Sequence, residues 1–219
     1  MDRLIGEMVS QARSAGADTE TIAARLRGWL AMEPPARWQL IEPDAELARI
    51  VLHEMREQLA LPVASCTPEE CARGEALQGA MPAVLPSKAE AVRRLLPPAS
   101  ELTVLEVQGV AMELQAHVRR YLPGHGRDLV AIASRWQDFL RIAHTMLAAA
   151  GFAPDGLLVR DAAKPGWKRG LGAAAAVVCD AATAAELPAG CHAIVFRLLS
   201  DATLEKLRAA EARLSAAAG

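Results

Sequence analysis

The residues of this chain that are best suited to contact a small molecule stand at the ends of short apolar runs. Ser134 and Arg135 follow the run 129–133, and Asp180 follows the run 174–179. Parallel strands covered by helices on both faces read as such runs, and their ligands lie beyond the carboxyl ends of the strands. We therefore expect a ligand site formed by seven residues: Glu42, Ser65, Ser134, Arg135, Asp161, Trp167 and Asp180.

The types of these residues predict the chemistry of that site. Ser134, Arg135 and the free backbone N–H groups of the helix that follows them would hold an anionic group. Asp161 or Asp180 would accept a hydrogen bond from a hydroxyl or amine, and Trp167 would cover an apolar part of the ligand. Each residue also has a structural alternative. Ser134 and Asp180 can cap helices, Asp161 is a common turn residue, and Trp167 can cover the core.

No catalytic motif accompanies these residues. The chain has no GxGxxG after an apolar run, no GxxxxGK[ST], no GxSxG and no HExxH. Four cysteines, at positions 66, 71, 179 and 191, form no CxxC pair. We expect them to be buried free thiols, although the sequence leaves a disulfide between two of them open. The expectation is therefore no cofactor, no metal site and no catalytic residue.

The composition limits the partners of the chain. Its 219 residues are 52% hydrophobic, which is enough to bury a core. The net charge is −2 and the basic residues are scattered, so the chain by itself is expected to bind DNA poorly. The N-terminus lacks a signal-peptide pattern, and no run reaches the ~18 apolar residues of a membrane helix. We expect a cytoplasmic protein without membrane contact.

Eight apolar runs alternate with helical patterns between residues 38 and 196. This alternation predicts an α/β fold with two Rossmann-like lobes and a ligand cleft between them, preceded by an N-terminal helical hairpin. Pro97-Pro98 and the restart of the pattern predict a junction near residues 97–109. The expected domains are residues 1–34, 35–107 and 108–219. One continuous doubly wound sheet is the alternative.

The N-terminal hairpin carries more apolar surface than two isolated helices can bury. Its helical stripe consists of Leu4, Ile5, Met8, Leu26 and Leu30. Such a stripe needs a partner, either the α/β body or a second subunit. Because twofold dimers are the commonest assembly, we expect a homodimer.

Local signals predict where several helices begin and end. Thr67 to Glu70 and Ser87 to Glu90 both fit the capping-box pattern. A helix is expected from Trp136 to Ala150, with Gly151 as its cap. Another is expected to end near Tyr121, before a loop at residues 123–126.

Several of these segments resemble the carboxy-terminal sensor of GntR-type bacterial transcription regulators. They are residues 129–135, Phe139-Leu140, residues 146–152, residues 157–161, Pro165-Gly166-Trp167 and residues 178–180. The helical pair from Glu7 to Trp29 resembles the linker helices that follow the winged helix in that family. The resemblance implies a domain that binds a small-molecule effector between its lobes. It also implies that DNA is contacted only through a winged-helix domain, which is not present in this chain.

Two other function classes remain open at this stage. A small α/β enzyme of the isomerase or transferase type would need two strand-end acids within reach of one substrate atom across the cleft. A solute-binding protein would share the two-lobed architecture, but the absence of a signal-peptide pattern counts against it.

Overall fold

The computed structural model describes residues 1–30, 35–96, 100–108 and 129–217. Within these ranges the chain forms eight α-helices and eight β-strands. The strands are β1 (Arg37–Ile41), β2 (Val63–Cys66), β3 (Ala80–Val84), β4 (Thr103–Val104), β5 (Val130–Ser134), β6 (Leu157–Asp161), β7 (Ala176–Asp180) and β8 (Ala193–Phe196). The helices are α1 (Asp2–Ser14), α2 (Thr19–Leu30), α3 (Ala45–Gln58), α4 (Pro68–Ala72), α5 (Ala89–Arg93), α6 (Gln137–Ala149), α7 (Ala181–Ala184) and α8 (Asp201–Ala217).

The strands form two four-stranded parallel sheets of the same topology. Their orders are β2-β1-β3-β4 and β6-β5-β7-β8. The α/β class with parallel strands is therefore confirmed, and the alternative of one continuous sheet is excluded for the described strands. We call the part that contains β1–β4 the first half and the part that contains β5–β8 the second half.

Both faces of each sheet are covered, as the continuous apolar runs require. Ile41 and Val84 point to an outer cluster of the first half, and Ala133 and Cys179 point to an outer cluster of the second half. The inner faces contribute to one shared cluster, which includes Trp38 and Leu40 as well as Val130, Ile132 and Val178. The two sheets therefore share one hydrophobic core.

Two segments join the halves, and we call them the connecting segments: residues 105–108 after β4 and residues 197–200 after β8. They run beside each other, with an antiparallel bridge between Val107 and Leu199. The Gln108 N–H donates to the Leu198 carbonyl at 2.8 Å. Helix α8 then returns to the first half, where Glu211 accepts the Trp38 indole N–H at 2.9 Å.

Most predicted helix ends are close to the observed ones. Helix α6 begins one residue after the predicted start, and Gly151 follows it at φ +100°, a conformation that favours glycine. The hairpin α1–α2 is present, and the Asp18 side chain caps α2 by accepting the Thr21 N–H at 2.7 Å. The predicted helix to Tyr121 and the loop at 123–126 lie outside the described residues. Among the described residues, no helix has the length and apolar character to cross a membrane.

One of the two predicted capping boxes is wrong. At Thr67 and Glu70 both reciprocal hydrogen bonds are present, at 2.8 and 3.3 Å. At Ser87 the chain already turns in a 3₁₀ helix from Pro86 to Lys88, and α5 follows without a side-chain cap. Ser87 therefore lies inside helical geometry and not at the extended position that a capping hydroxyl requires.

We expect Thr67→Ala to lower the free energy of unfolding by about 1 kcal/mol, because it removes the acceptor for the Glu70 N–H. Ser87→Ala is the matched control, and its effect should stay below about 0.5 kcal/mol. Urea denaturation of the two variants measures both values. Equal losses would contradict the assignment of a capping box at Thr67 and of none at Ser87.

Candidate functional site

The segments that follow β1 and β5 meet each other. The Trp136 indole N–H, just after β5, donates to Asp44 Oδ2 at 2.9 Å. Arg135 Nε lies 3.3 Å from Glu46 Oε1, in the first turn of α3. Because α3 starts directly after β1, these contacts bring the carboxyl ends of both sheets to one junction.

Ser134 and Asp180 form a closed hydrogen-bond network in this junction. The Ser134 hydroxyl donates to Asp180 Oδ2 at 2.6 Å, and the Thr183 hydroxyl donates to the same oxygen at 2.6 Å. Asp180 Oδ1 accepts the Thr183 N–H at 2.7 Å and thereby caps α7. All three side chains are fully buried. Ser134 also accepts the Trp136 N–H at 3.0 Å, although Trp136 and not Ser134 is the N-cap of α6.

Charged side chains from the first half complete the junction. Arg49 donates to Glu46 Oε2 at 2.9 Å, and its Nη2 lies 3.8 Å from Asp180 Oδ1. Its Nη1 lies 3.7 Å from Glu186. The guanidinium thus balances the buried charge of Asp180, and Arg135 is balanced by Glu46. Sequence reasoning missed Asp44, Glu46 and Arg49 because their partners in the second half are far away in the chain.

Asp161 and Trp167 lie beside the junction, at the end of β6. Asp161 pairs in register with Ser134 across the sheet. Burial raises the pKa of Asp161, but hydrogen bonds from the Ala163 N–H, Gln137 and Lys164 outweigh this and lower it. Trp167 is half-buried against the outer cluster of the second half, with Lys168 Nζ 5.4 Å from its ring centroid. An open depression of about 510 Å³ joins Arg135 to this loop.

Glu42 and Ser65 have separate positions in the first half. Glu42 is 4% exposed, and its Oε1 accepts the Asp44 N–H at 3.0 Å. Its Oε2 is buried without a hydrogen bond, and burial raises the pKa of this carboxyl. Ser65 is exposed and lies inside β2, where it pairs with Leu40, because the strand continues through Cys66. No described contact joins Ser65 to the other predicted site residues.

A cavity of about 360 Å³ lies between the two halves. Its walls come from both halves and from the connecting segments. They are formed by Leu47, Leu85, Pro86 and Ser87 of the first half, by Val107, Gln108 and Leu198 of the connecting segments, and by Trp136, Phe139 and Ile142 of the second half. In the order β2-β1-β3-β4 the crossover direction changes between β1 and β3, and ligands of open α/β sheets bind at such a point. Leu85 directly follows β3, so the cavity lies at this switch point.

Two buried carboxylates tie the halves and the connecting segments together. Glu54 of α3 accepts the N–H groups of Leu198 and Leu199, each at 2.8 Å. Glu211 of α8 accepts the N–H groups of Ala60 and Leu61 as well as the Trp38 indole. Sequence reasoning missed both glutamates. The available signal was their position on an apolar helical stripe, Glu54 three residues after Val51 and Glu211 four residues after Leu207.

Burial makes Cys66 and Cys179 poor nucleophiles. All four are free thiols, and Cys66, Cys71 and Cys179 are buried. Burial raises the pKa of Cys66 to about 11 and that of Cys179 to about 12, so both remain protonated at neutral pH. Across the described parts of the chain, no cluster of three or more His, Cys, Asp or Glu side chains is arranged to hold a metal ion.

Comparison of the chain with protein-family models, with curated proteins and with solved structures gives no match. The function therefore has to be inferred from the geometry of the junction and the cavity.

We expect Asp180→Ala to lower the free energy of unfolding by about 3 kcal/mol, because it strips three buried donors of their acceptor and removes the carboxylate that faces Arg49. Asp138→Ala is the matched control. Its exposed pair with Arg141 predicts a change below about 0.5 kcal/mol. Chemical denaturation of both variants decides, and a near-neutral Asp180→Ala would contradict the structural role of this junction.

Proposed function

We propose that this chain is the cytoplasmic ligand-sensing domain of a GntR-like transcription regulator and binds a small-molecule effector in the cavity between its two halves. DNA would be read by a winged-helix domain and not by the two α/β halves. In this proposal the two halves are Rossmann-like lobes, the space between them is the ligand cleft, and the connecting segments are the hinge.

The observation that carries the proposal is the composition of the cavity walls. Both halves and both connecting segments contribute side chains to a space of about 360 Å³, which lies in the range of small-molecule sites. A ligand there would contact Leu85 on one side and Phe139 on the other. It would therefore stabilise one arrangement of the lobes over others, which is what an effector of a two-state sensor must do.

The cavity favours an uncharged, mainly apolar ligand. Its walls are hydrocarbon apart from Ser87, Gln108 and the indole of Trp136, whose N–H is already bonded to Asp44. A charged group would lose its hydration without gaining a partner. The anion site at Ser134 and Arg135 stays a prediction, but it would require the buried bonds of Ser134 to open.

The two strand-end acids Glu42 and Asp180 are buried in different halves, which weighs against the enzyme alternative. Asp180 is fully buried and hydrogen-bonded within the second half, whereas Glu42 is buried in the first half. No observation on the described residues places two titratable groups around one open substrate position.

A second copy of the chain is the partner we propose for the N-terminal hairpin. The stripe keeps large exposed fractions, from 38% at Leu26 to 62% at Leu4. Helix α2 contacts the first half through an ion pair between Arg25 and Glu75, whereas α1 and α2 have no buried residue. An isologous pairing of two such stripes would remove this apolar surface from water.

Binding of 3-methylindole tests the cavity, with the indole N–H resonance of Trp136 as the reporter. We expect saturable binding to the intact chain. Ile142→Trp, which fills the cavity, should weaken it at least about tenfold, a loss of about 1.4 kcal/mol in binding free energy. Thr145→Trp is the control, because Thr145 is exposed on the same helix and does not line the cavity.

Indole-3-acetate is the anionic probe of the same shape. Tighter binding of this anion, lost in Arg135→Ala but not in Ile142→Trp, would place the ligand at the junction instead of the cavity. Equal effects of Ile142→Trp and Thr145→Trp would contradict the cavity as the ligand site.

Sedimentation tests the dimer. We expect the intact chain to sediment as a dimer and Ile5→Glu, which puts a charge into the apolar stripe, to sediment as a monomer. Glu7→Gln is the control on the same helix, since Glu7 is exposed and pairs only with Arg3 among the ion pairs of the described residues. A monomeric intact chain would contradict the proposed assembly.

A further inference from the structure

Glu54 is a fully buried carboxylate in the C-terminal half of α3. Its Oε1 accepts the Leu198 N–H and its Oε2 accepts the Leu199 N–H, each at 2.8 Å. Each oxygen thus serves one amide, and the two amides are consecutive in the chain. A carboxylate that holds two adjacent amides fixes both the position and the direction of that backbone.

The two amides belong to the segment that joins the halves. The Leu198 carbonyl accepts the Gln108 N–H at 2.8 Å, and the Leu199 carbonyl accepts the Gln108 side-chain amide at 3.1 Å. The same residues therefore bind Glu54 through their N–H groups and the other connecting segment through their carbonyls. Leu198 also lines the cavity, so Glu54 lies directly behind a cavity wall.

We propose that Glu54 is a proton-operated latch on the hinge between the two halves. In its ionised form the carboxylate holds both hinge amides and keeps the halves in the arrangement that forms the cavity. In its protonated form one oxygen becomes a donor and faces an N–H that is also a donor. The protonated oxygen is a weak acceptor, so its hydrogen bond to that amide weakens and the hinge backbone loosens.

Burial, opposed by nearby hydrogen bonds, places the titration of Glu54 near neutral pH. Burial is the main cause that raises its pKa to about 7, and it is opposed by the hydrogen bonds from Leu199 and Leu198 and by Arg197, whereas Asp180 raises the pKa further. On α3 itself, His53 pairs with Glu57 and Arg49 faces Asp180. From the connecting segment after β8, Arg197 also pairs with Glu57. From α8, Arg208 contacts Gln58 and Glu211 accepts the amides of the turn after α3.

The sign of the linkage follows from the direction of this shift. The folded chain binds the proton of Glu54 more tightly than the unfolded chain, so this group contributes stability at acidic pH. That contribution is lost as the pH rises from about 4.5 to about 7. Near neutral pH both protonation states of the folded chain are populated, which is the condition for a latch that responds to small changes of pH.

The latch predicts a pH-dependent affinity of the cavity, and this consequence rests on the proposed function. If only the ionised form keeps the cavity assembled, the dissociation constant of 3-methylindole should be about tenfold higher at pH 6 than at pH 8. The direction is opposite to that expected from protein stability alone, since protonation of Glu54 stabilises the folded chain.

The amide resonances of Leu198 and Leu199 in the ligand-free, ¹⁵N-labelled chain test the latch directly. We expect both to titrate together with a midpoint near pH 7 in the wild type. Glu54→Gln keeps one acceptor and removes the ionisable group, so it should abolish the titration and fix the affinity for 3-methylindole at its low-pH value. His53→Gln is the matched control, because it removes the neighbouring imidazole and should leave the midpoint unchanged.

Several outcomes would overturn the latch. They are a midpoint below pH 5, a titration that survives in Glu54→Gln, a titration that disappears in His53→Gln, or an affinity equal at pH 6 and pH 8. If Glu54→Gln does not fold, the latch is still tested by the midpoint of the amide titration in the wild type and in His53→Gln. If 3-methylindole does not bind at any pH, the proposed cavity site fails, and the amide titration tests the latch independently.

Discussion

In the segment after β8 and in the turn after α3, buried backbone N–H groups have no neighbouring strand to accept their hydrogen bonds, and buried carboxylates accept them instead. Glu54 accepts two amides of the segment after β8, and Glu211 accepts two amides of the turn after α3. Each orphaned buried amide would cost about 1–3 kcal/mol. The position of the second half relative to the first depends on these bonds, and so does the shape of the cavity that both halves line.

Helix α3 connects these interactions with the core. Its apolar side packs Ile50, Val51 and Met55 into the cluster that both sheets share. Its N-cap and first turn contact Trp136 and Arg135 of the second half, and its C-terminal half supplies Glu54 to the connecting segment. One helix of the first half thus contacts the segment after β5, the first strand of the second half, and the segment after β8, its last strand. A shift of α3 would therefore change the contacts at the junction, at the cavity and at the hinge together.

The division between polar junction and apolar cavity changes how the strand-end residues are understood. Ser134 and Asp180 have the chemistry of ligand contacts, but in the folded chain they satisfy each other and the start of α7. The space that remains open at a switch point is lined by Leu85, Phe139 and Leu198. Polar groups therefore hold the halves together here, and we propose that hydrophobic contacts recognise the ligand.

The sequence by itself determined the local order of this protein. Each of the eight apolar runs overlaps a strand, and the hairpin, the cap at Thr67 and the cap at Asp180 follow from residue types within a few positions of each other. Those features depend on hydrophobic period and on short-range hydrogen bonds, which are written in adjacent residues. The capping role of Ser87 was wrongly predicted for a related reason, since a 3₁₀ turn and a capping box share the same residue types.

Only the tertiary structure decided which polar residues form hydrogen bonds inside the protein and are not free to bind a ligand. Glu54 meets its partners 144 and 145 residues away, Arg135 meets Glu46 89 residues away, and Glu211 meets Trp38 173 residues away. The free energy of each of these side chains depends on burial and on a partner that no local pattern encodes. For that reason a strand-end serine and aspartate could be recognised in the sequence, whereas the cavity and the latch behind it could not.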